Sequence, residues 1–180
     1  MTTAKTVAKD DRDTPEDSRR PATGVKGSPV GRPDFKAAVI LRDDTATRIR
    51  VVLFGREATD GDPVMWVRRG LPVTGVGRLQ KKLRVRESDL LSLIGMSTQT
   101  FKHRKQEHEH LNAIESDRLY RLAKIEARAV EVFEDEEIAA NWLKAPNRAL
   151  GEKPISLLDT EAGTDMVERV LTRIEYGVYS

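Results

Sequence analysis

The sequence predicts a mainly α-helical protein: a helix-turn-helix-like helical domain joined by a long helix to a small α-helical domain. A short β-hairpin near the N-terminus is the one β element that the pattern admits. Three observations carry this prediction. Residues 115–133 hold apolar side chains at helical spacing over five turns, LLSLIGMSTQTFKHRK reads as two short helices about a tight turn, and two further amphipathic patterns follow Asp135.

A chain of 180 residues allows one domain of ordinary size or two small ones, and an aromatic share of 5% argues against a large core. There is no cysteine, which excludes a disulfide framework and thiolate metal sites. No apolar run approaches a membrane span and the N-terminus lacks the apolar core of a signal peptide, so a soluble, cytoplasmic protein with no membrane contact is expected. Net charge is only +2, but it is unevenly spread. From Gly77 to Arg128 there are 12 Lys/Arg against 7 Asp/Glu, and from Glu131 to Ser180 there are 5 against 11. A basic middle and an acidic end suit a polyanion and a basic or neutral protein surface respectively.

Residues 1–34 combine 13 charged residues with four prolines and no aromatic, too little apolar surface to offset ordering entropy, and are read as a disordered arm. Residues 35–62 form an N-terminal extension for packing or dimerisation. Within it FKAAVIL and RIRVVLFG flank Asp43-Asp44-Thr45, a pattern that fits either a β-hairpin or a pair of short helices. The helix-turn-helix-like domain spans 63–134. Pro63 suits the first position of a short helix ending near Gly70, and Pro72 to Leu83 starts another.

Asp89 to Ile94 is then a brief amphipathic helix, Gly95-Met96-Ser97 a tight turn, and Thr98 to Gln106 a second helix capped by Ser97. Placing Phe101 inward turns Gln99, His103 and Gln106 outward with Lys102 on the flank, side-chain types that suit base edges. Arg78, Lys81, Lys82, Arg84 and Arg86 are five bases in nine residues without an acid and are candidates for phosphate contact. His108 and His110 would point apart on a helix, so a zinc site is not expected.

Asn112 with Glu115 offers a capping box for the long helix. Leu119, Leu122, Ala123, Ile125, Ala129, Val130, Val132 and Phe133 form its buried side, with Arg121, Lys124, Arg128 and Glu131 on the other. Residues 135–180 make the last module. Asp135 caps a helix over Glu136 to Lys144 whose apolar face is Ile138, Ala139, Trp142 and Leu143, and Pro146 stops it. Ile155, Leu157 and Leu158 need cover. Thr164 is read as the cap of the final helix, with Met166, Val167, Val170, Leu171 and Ile174 as its buried stripe and Gly177 as its left-handed terminator.

In that module Trp142, Leu143, Pro146, Asn147, Leu150, Gly151, Pro154, Leu157, Leu158, Thr160, Gly163, Val167, Leu171, Arg173, Ile174, Tyr176, Gly177 and Val178 fall in order at close to one family's spacing. The sequence resembles the C-terminal toxin-binding domain of Xre/MbcA/ParS-type antitoxins, the partners of RES-domain toxins. With the upstream helix-turn-helix the resemblance covers roughly Val64 to Ser180. Gly151 to Pro154 is shorter here than in the family, which usually has a second glycine and one more residue.

The resemblance implies an antitoxin that neutralises an NAD-consuming RES-domain toxin by placing its C-terminal end at the active-site entrance. By position this gives the toxin contacts Arg173, Ile174, Glu175, Tyr176, Gly177, Val178, Tyr179 and Ser180 with its terminal carboxylate. It also implies repression of the antitoxin's own operon as a homodimer on double-stranded operator DNA. The alternative is a dimeric helix-turn-helix regulator without a toxin partner. No nucleophile–base pair, phosphate-cradling glycine loop or metal cluster is legible, so neither catalytic residues nor a cofactor or metal is expected.

Overall fold

The structure, a computed structural model, describes residues 35–55 and 61–177, with the side chains of the first helix described from Thr45 onward. The disordered arm expected over 1–34 lies outside the described residues, as do Val178, Tyr179 and Ser180. Eight α-helices follow in order among the described residues: α1 Phe35–Phe54, α2 Pro63–Arg69, α3 Thr74–Leu83, α4 Glu87–Ile94, α5 Thr98–Gln106, α6 Ala113–Phe133, α7 Glu136–Lys144 and α8 Glu161–Glu175. A 3₁₀ turn, Pro154–Leu157, precedes α8.

The capping box predicted at the start of α6 is present: Asn112 Oδ1 accepts from the Glu115 N–H at 2.9 Å, and Glu115 Oε2 accepts from the Asn112 N–H at 2.9 Å. From that start α6 runs through the centre of the molecule. Leu119, Leu122, Ala123, Ile125, Ala127 and Ala129 are all buried, and α1, α2, α3, α4, α7 and α8 pack around it. Each leucine withdrawn completely from water in this way contributes about 1.5–3 kcal/mol.

The sequence made α6 a connector with one polar side. In the structure that side is covered by α8, whose carboxylates meet it: Lys124 Nζ donates to Glu168 at 3.0 Å, and Arg128 pairs with Glu175. One helix thus supports both the helix-turn-helix segment and the C-terminal module. Its other interior charge, Glu126, is 2% exposed with Oε2 unpartnered, and burial raises its pKa above the ordinary carboxylate value.

Three local expectations are corrected. The β-hairpin is absent, because residues 35–54 form one helix that runs straight through Asp43-Asp44-Thr45. Ile49, Val52 and Leu53 recur at i, i+3, i+4 and pack against α6 and α3, so tertiary burial outweighs the β preference of the branched residues. The cap of α8 is Thr160 rather than Thr164: Thr160 Oγ1 accepts from the Gly163 N–H at 3.1 Å, while the buried Thr164 hydroxyl donates to the Thr160 carbonyl at 2.8 Å. The sequence pattern puts Ile138 and Met166 on buried faces, but they are 53% and 40% exposed, with Ala140 taking the inward position on α7. Gly163 explains why the α8 start sits where it does. A Cβ there would collide with the Leu157 carbonyl oxygen, so only a glycine lets the 3₁₀ turn close against the helix.

Candidate functional site

The helix-turn-helix is built as its residue types require. Gly95 ends α4 at φ +82, a left-handed conformation that favours glycine, and its N–H donates to the Leu91 carbonyl at 2.9 Å. Ser97, extended at φ −76 and ψ 151, caps α5 by accepting from the Thr100 N–H at 3.0 Å. Phe101 is buried against the core, as its inward placement requires. Gln99, Lys102, His103 and Gln106 are all exposed, and their i, i+3, i+4, i+7 spacing puts them on one face. That face offers amide and ammonium groups of the kind that pair with adenine and guanine edges.

Two arginines brace the helix-turn-helix against α6, one at α5 and one at α4, and sequence reasoning missed both. Arg104 Nη1 donates to Glu115 Oε2 at 2.5 Å, tying the last turn of α5 to the first turn of α6. Arg118 Nη1 donates to the Ile94 carbonyl at 3.1 Å, closing the C-terminal end of α4. The capping box signalled that Glu115 is structural. Nothing in the local pattern signals Arg104, which reads as one more base in a basic helix.

The basic stretch on α3 is less free than its composition suggests. Arg78 turns inward, its Nε donating to the Val52 carbonyl at 2.9 Å and its Nη2 to the Leu53 carbonyl at 2.6 Å, so it caps the C-terminus of α1. Burial lowers its pKa, and the phosphate role expected for it is already taken by these carbonyls. Lys82 Nζ lies 2.5 Å from Glu136 Oε1, and Arg84 Nη1 lies 2.9 Å from Glu137 Oε1. Hydrogen bonds from Lys82 and then Arg48 hold the Glu136 carboxyl below its ordinary pKa. Lys81 is exposed. The acidic first turn of α7 therefore sits on Lys82 of α3, Arg84 just past its end and Arg48 of α1, with every partner still a third or more open to water except Arg48.

In the C-terminal module the loop after α7 closes on itself. Asn147 Oδ1 accepts from the Ala149 N–H at 2.9 Å, the Asn147 carbonyl from the Gly151 N–H at 2.9 Å, and the Glu152 carbonyl from the Asn147 N–H at 3.0 Å. Asn147 and Gly151, with φ +77, thus define a compact turn. At the end of α8, Arg173 is exposed, Ile174 half-buried and Tyr176 74% exposed. Glu175 is forked by the Arg128 guanidinium, which also reaches Glu131 at 2.8 Å. Gly177 has φ +65 and donates to the Ile174 carbonyl at 3.1 Å, the left-handed terminator that the sequence led one to expect. The helix end is therefore anchored through Glu175 while Arg173 and Tyr176 stay open.

Among the described residues no group of three or more His, Cys, Asp or Glu is placed to hold a metal ion, and no helix is long and apolar enough to cross a membrane.

Comparison with known proteins matches both halves of this arrangement. Residues 65–124 match the antitoxin Xre-like helix-turn-helix domain, and residues 128–177 match the antitoxin Xre/MbcA/ParS C-terminal toxin-binding domain. The chain is 36% identical over 113 residues to an antitoxin Xre of Photorhabdus laumondii, covering 62% of this chain and 76% of that one. It is 26% identical over 165 residues to a Prs ADP-ribosylating antitoxin of Sphingobium, covering 86% and 94%. It is 40% identical over 79 residues to an antitoxin Xre of Pseudomonas putida, covering 43% and 50%. A helix-turn-helix braced on α6 by Arg104, and a C-terminal module packed on the same helix, are thus the two parts of a chain that belongs to the Xre/MbcA/ParS antitoxin family.

Proposed function

We propose that this antitoxin neutralises a RES-domain toxin that consumes NAD, by blocking the toxin's active-site entrance with the chain end that follows α8. The observation that carries the reading is the end of α8 itself. The Arg128–Glu175 pair fixes its direction, while Arg173 and Tyr176 remain open for a partner. The segment Glu175-Tyr176-Gly177-Val178-Tyr179-Ser180 offers two aromatic rings and, once released from Arg128, the Glu175 carboxylate, groups that mimic parts of a dinucleotide or fill a basic pocket. The Sphingobium relative is named for ADP-ribosylation, a reaction whose donor is NAD, which favours an NAD-consuming target for this chain as well. A cytoplasmic site of action and the absence of any catalytic role of its own go with this reading.

The second half of the proposal is repression of its own operon as a homodimer, with the two reading helices spaced by about one turn of duplex, roughly 34 Å. Gln99, Lys102, His103 and Gln106 read bases in this arrangement, and Lys81, with Lys82 and Arg84 when released from α7, meets phosphates.

Deletion of Gly177–Ser180 tests the blocking role. Cells expressing the toxin with the full chain are expected to grow. The truncated chain should retain its helical circular dichroism and thermal transition yet fail to protect. Full protection by the truncated chain would refute the blocking mechanism.

A further inference from the structure

We propose that the helix-turn-helix segment and the C-terminal module together form an anion-binding groove for the phosphodiester backbone of duplex DNA, with Lys144 and Lys153 as contacts. A groove of about 510 Å³ opens where the turn between α3 and α4, the end of α7 and the 3₁₀ turn converge. Arg84 and Arg86 reach it from the turn, Lys144 from the last turn of α7, and Lys153 from the residue preceding the 3₁₀ turn. Asp89 on α4 is the one carboxylate among the residues that line the groove, and Glu137 meets Arg84 from beside it. They come from segments about sixty residues apart in sequence, so the concentration of positive charge is a product of the fold.

The cations are only lightly committed. Arg86 forks Asp89 at 3.0 and 3.1 Å, with Arg86 83% exposed. Arg84 meets Glu137 across a pair in which both side chains are more than half exposed. Lys144 Nζ reaches only a main-chain oxygen, that of Arg84, at 3.4 Å. Lys153 is exposed, and after Arg86 it adds to the field that lowers the Asp89 pKa, which places its charge beside α4. Exposed ion pairs of this kind are weak, and a phosphate can displace them.

A polyanion is what such a groove takes, and α4, the first helix of the helix-turn-helix, forms its wall. The inference rests on the DNA-binding role of this chain. It adds that the toxin-binding module itself supplies phosphate contacts, which extends the DNA-facing surface beyond α5.

The test uses the full chain with Lys144→Gln/Lys153→Gln, a Lys144→Arg/Lys153→Arg control, and a mixed-sequence duplex titrated at several salt concentrations. Losing two phosphate contacts should lower the slope of log K against log salt by about 1.8, since each contributes about 0.9. The arginine control should keep the parent slope. An unchanged slope in the glutamine variant, with the parent still binding duplex, would overturn the inference and leave the DNA-binding role standing. Failure of the parent to bind duplex even at low salt would overturn both. A glutamine variant that keeps the slope but no longer captures the toxin would assign the groove to an acidic protein surface and refute the DNA role.

Discussion

Glu115→Ala is the perturbation that links stability to DNA reading most directly. Glu115 Oε2 accepts from the Asn112 N–H at 2.9 Å and from Arg104 at 2.5 Å, with the Glu115 side chain 10% exposed and that of Arg104 22%. Removing the carboxylate breaks the capping box, worth about 1 kcal/mol, and strands a mostly buried guanidinium. Breaking a fully buried pair costs about 3–5 kcal/mol. Here the residual exposure of Arg104, and its second partner Glu109 at 3.6 Å, reduce that share. A total of about 2–3 kcal/mol follows, equivalent to a melting shift of roughly 5–10 °C for a chain of this size.

Urea denaturation of the parent, both single variants and Arg104→Ala/Glu115→Ala measures this directly, and the cycle isolates the coupling of the pair. Because the pair seats α5 on α6, the single variant should also weaken operator binding, although it removes no side chain from the reading face. Toxin capture should be unchanged. A cost below about 0.5 kcal/mol, or coupling near zero, would refute the claim that Arg104 and Glu115 hold the reading helix.

Gln99→Ala and Lys102→Ala should each weaken operator binding in gel-shift titrations by about 1–3 kcal/mol while sparing toxin capture, and undiminished binding by both variants would refute the assignment of α5. Gly163→Ala should destabilise by about 1–3 kcal/mol in urea melts, because the added methyl meets the Leu157 carbonyl rather than a yielding side chain. Glu126 gives a pH signature. Its folded pKa is raised by burial, so the folded state binds more protons, and stability falls as pH rises from the unfolded carboxylate value through the folded one. Glu126→Gln should therefore match the parent in urea stability below the ordinary carboxylate pKa and exceed it increasingly as pH rises above that value. A constant difference across that range would show that Glu126 is not the group that titrates.

The sequence discloses those parts of the fold that local chemistry controls. Ser97, Gly95, Asn112 with Glu115, and Asp135 mark helix ends because each bonds its own neighbours, and the boundaries of α5 and α7 match expectation for that reason. Helix α1 was undecidable locally: its packing partners on α6 lie some seventy residues on, and they decide between hairpin and helix. Thr160 and Thr164 are equally plausible caps by type, and the choice between them turns on the approach of Gly163 to the Leu157 carbonyl. Arg78 looked like a phosphate ligand because the carbonyls it satisfies lie 25 and 26 residues away. The exposed face of α5 that carries Gln99, Lys102, His103 and Gln106 was legible from the inward placement of Phe101 alone. The pairing of Lys82 and Arg84 with Glu136 and Glu137 was not, since the basic and acidic runs meet only in the folded chain.

Neutralisation is the centre of this account, and co-expression tests it most directly. The product of the neighbouring gene, expressed alone, should arrest growth and deplete NAD. Together with this chain it should do neither, and the two proteins should purify as a stable complex through a tag on either. A harmless neighbour that does not bind this chain would contradict the proposed toxin partnership and leave the C-terminal module without the partner assigned to it here.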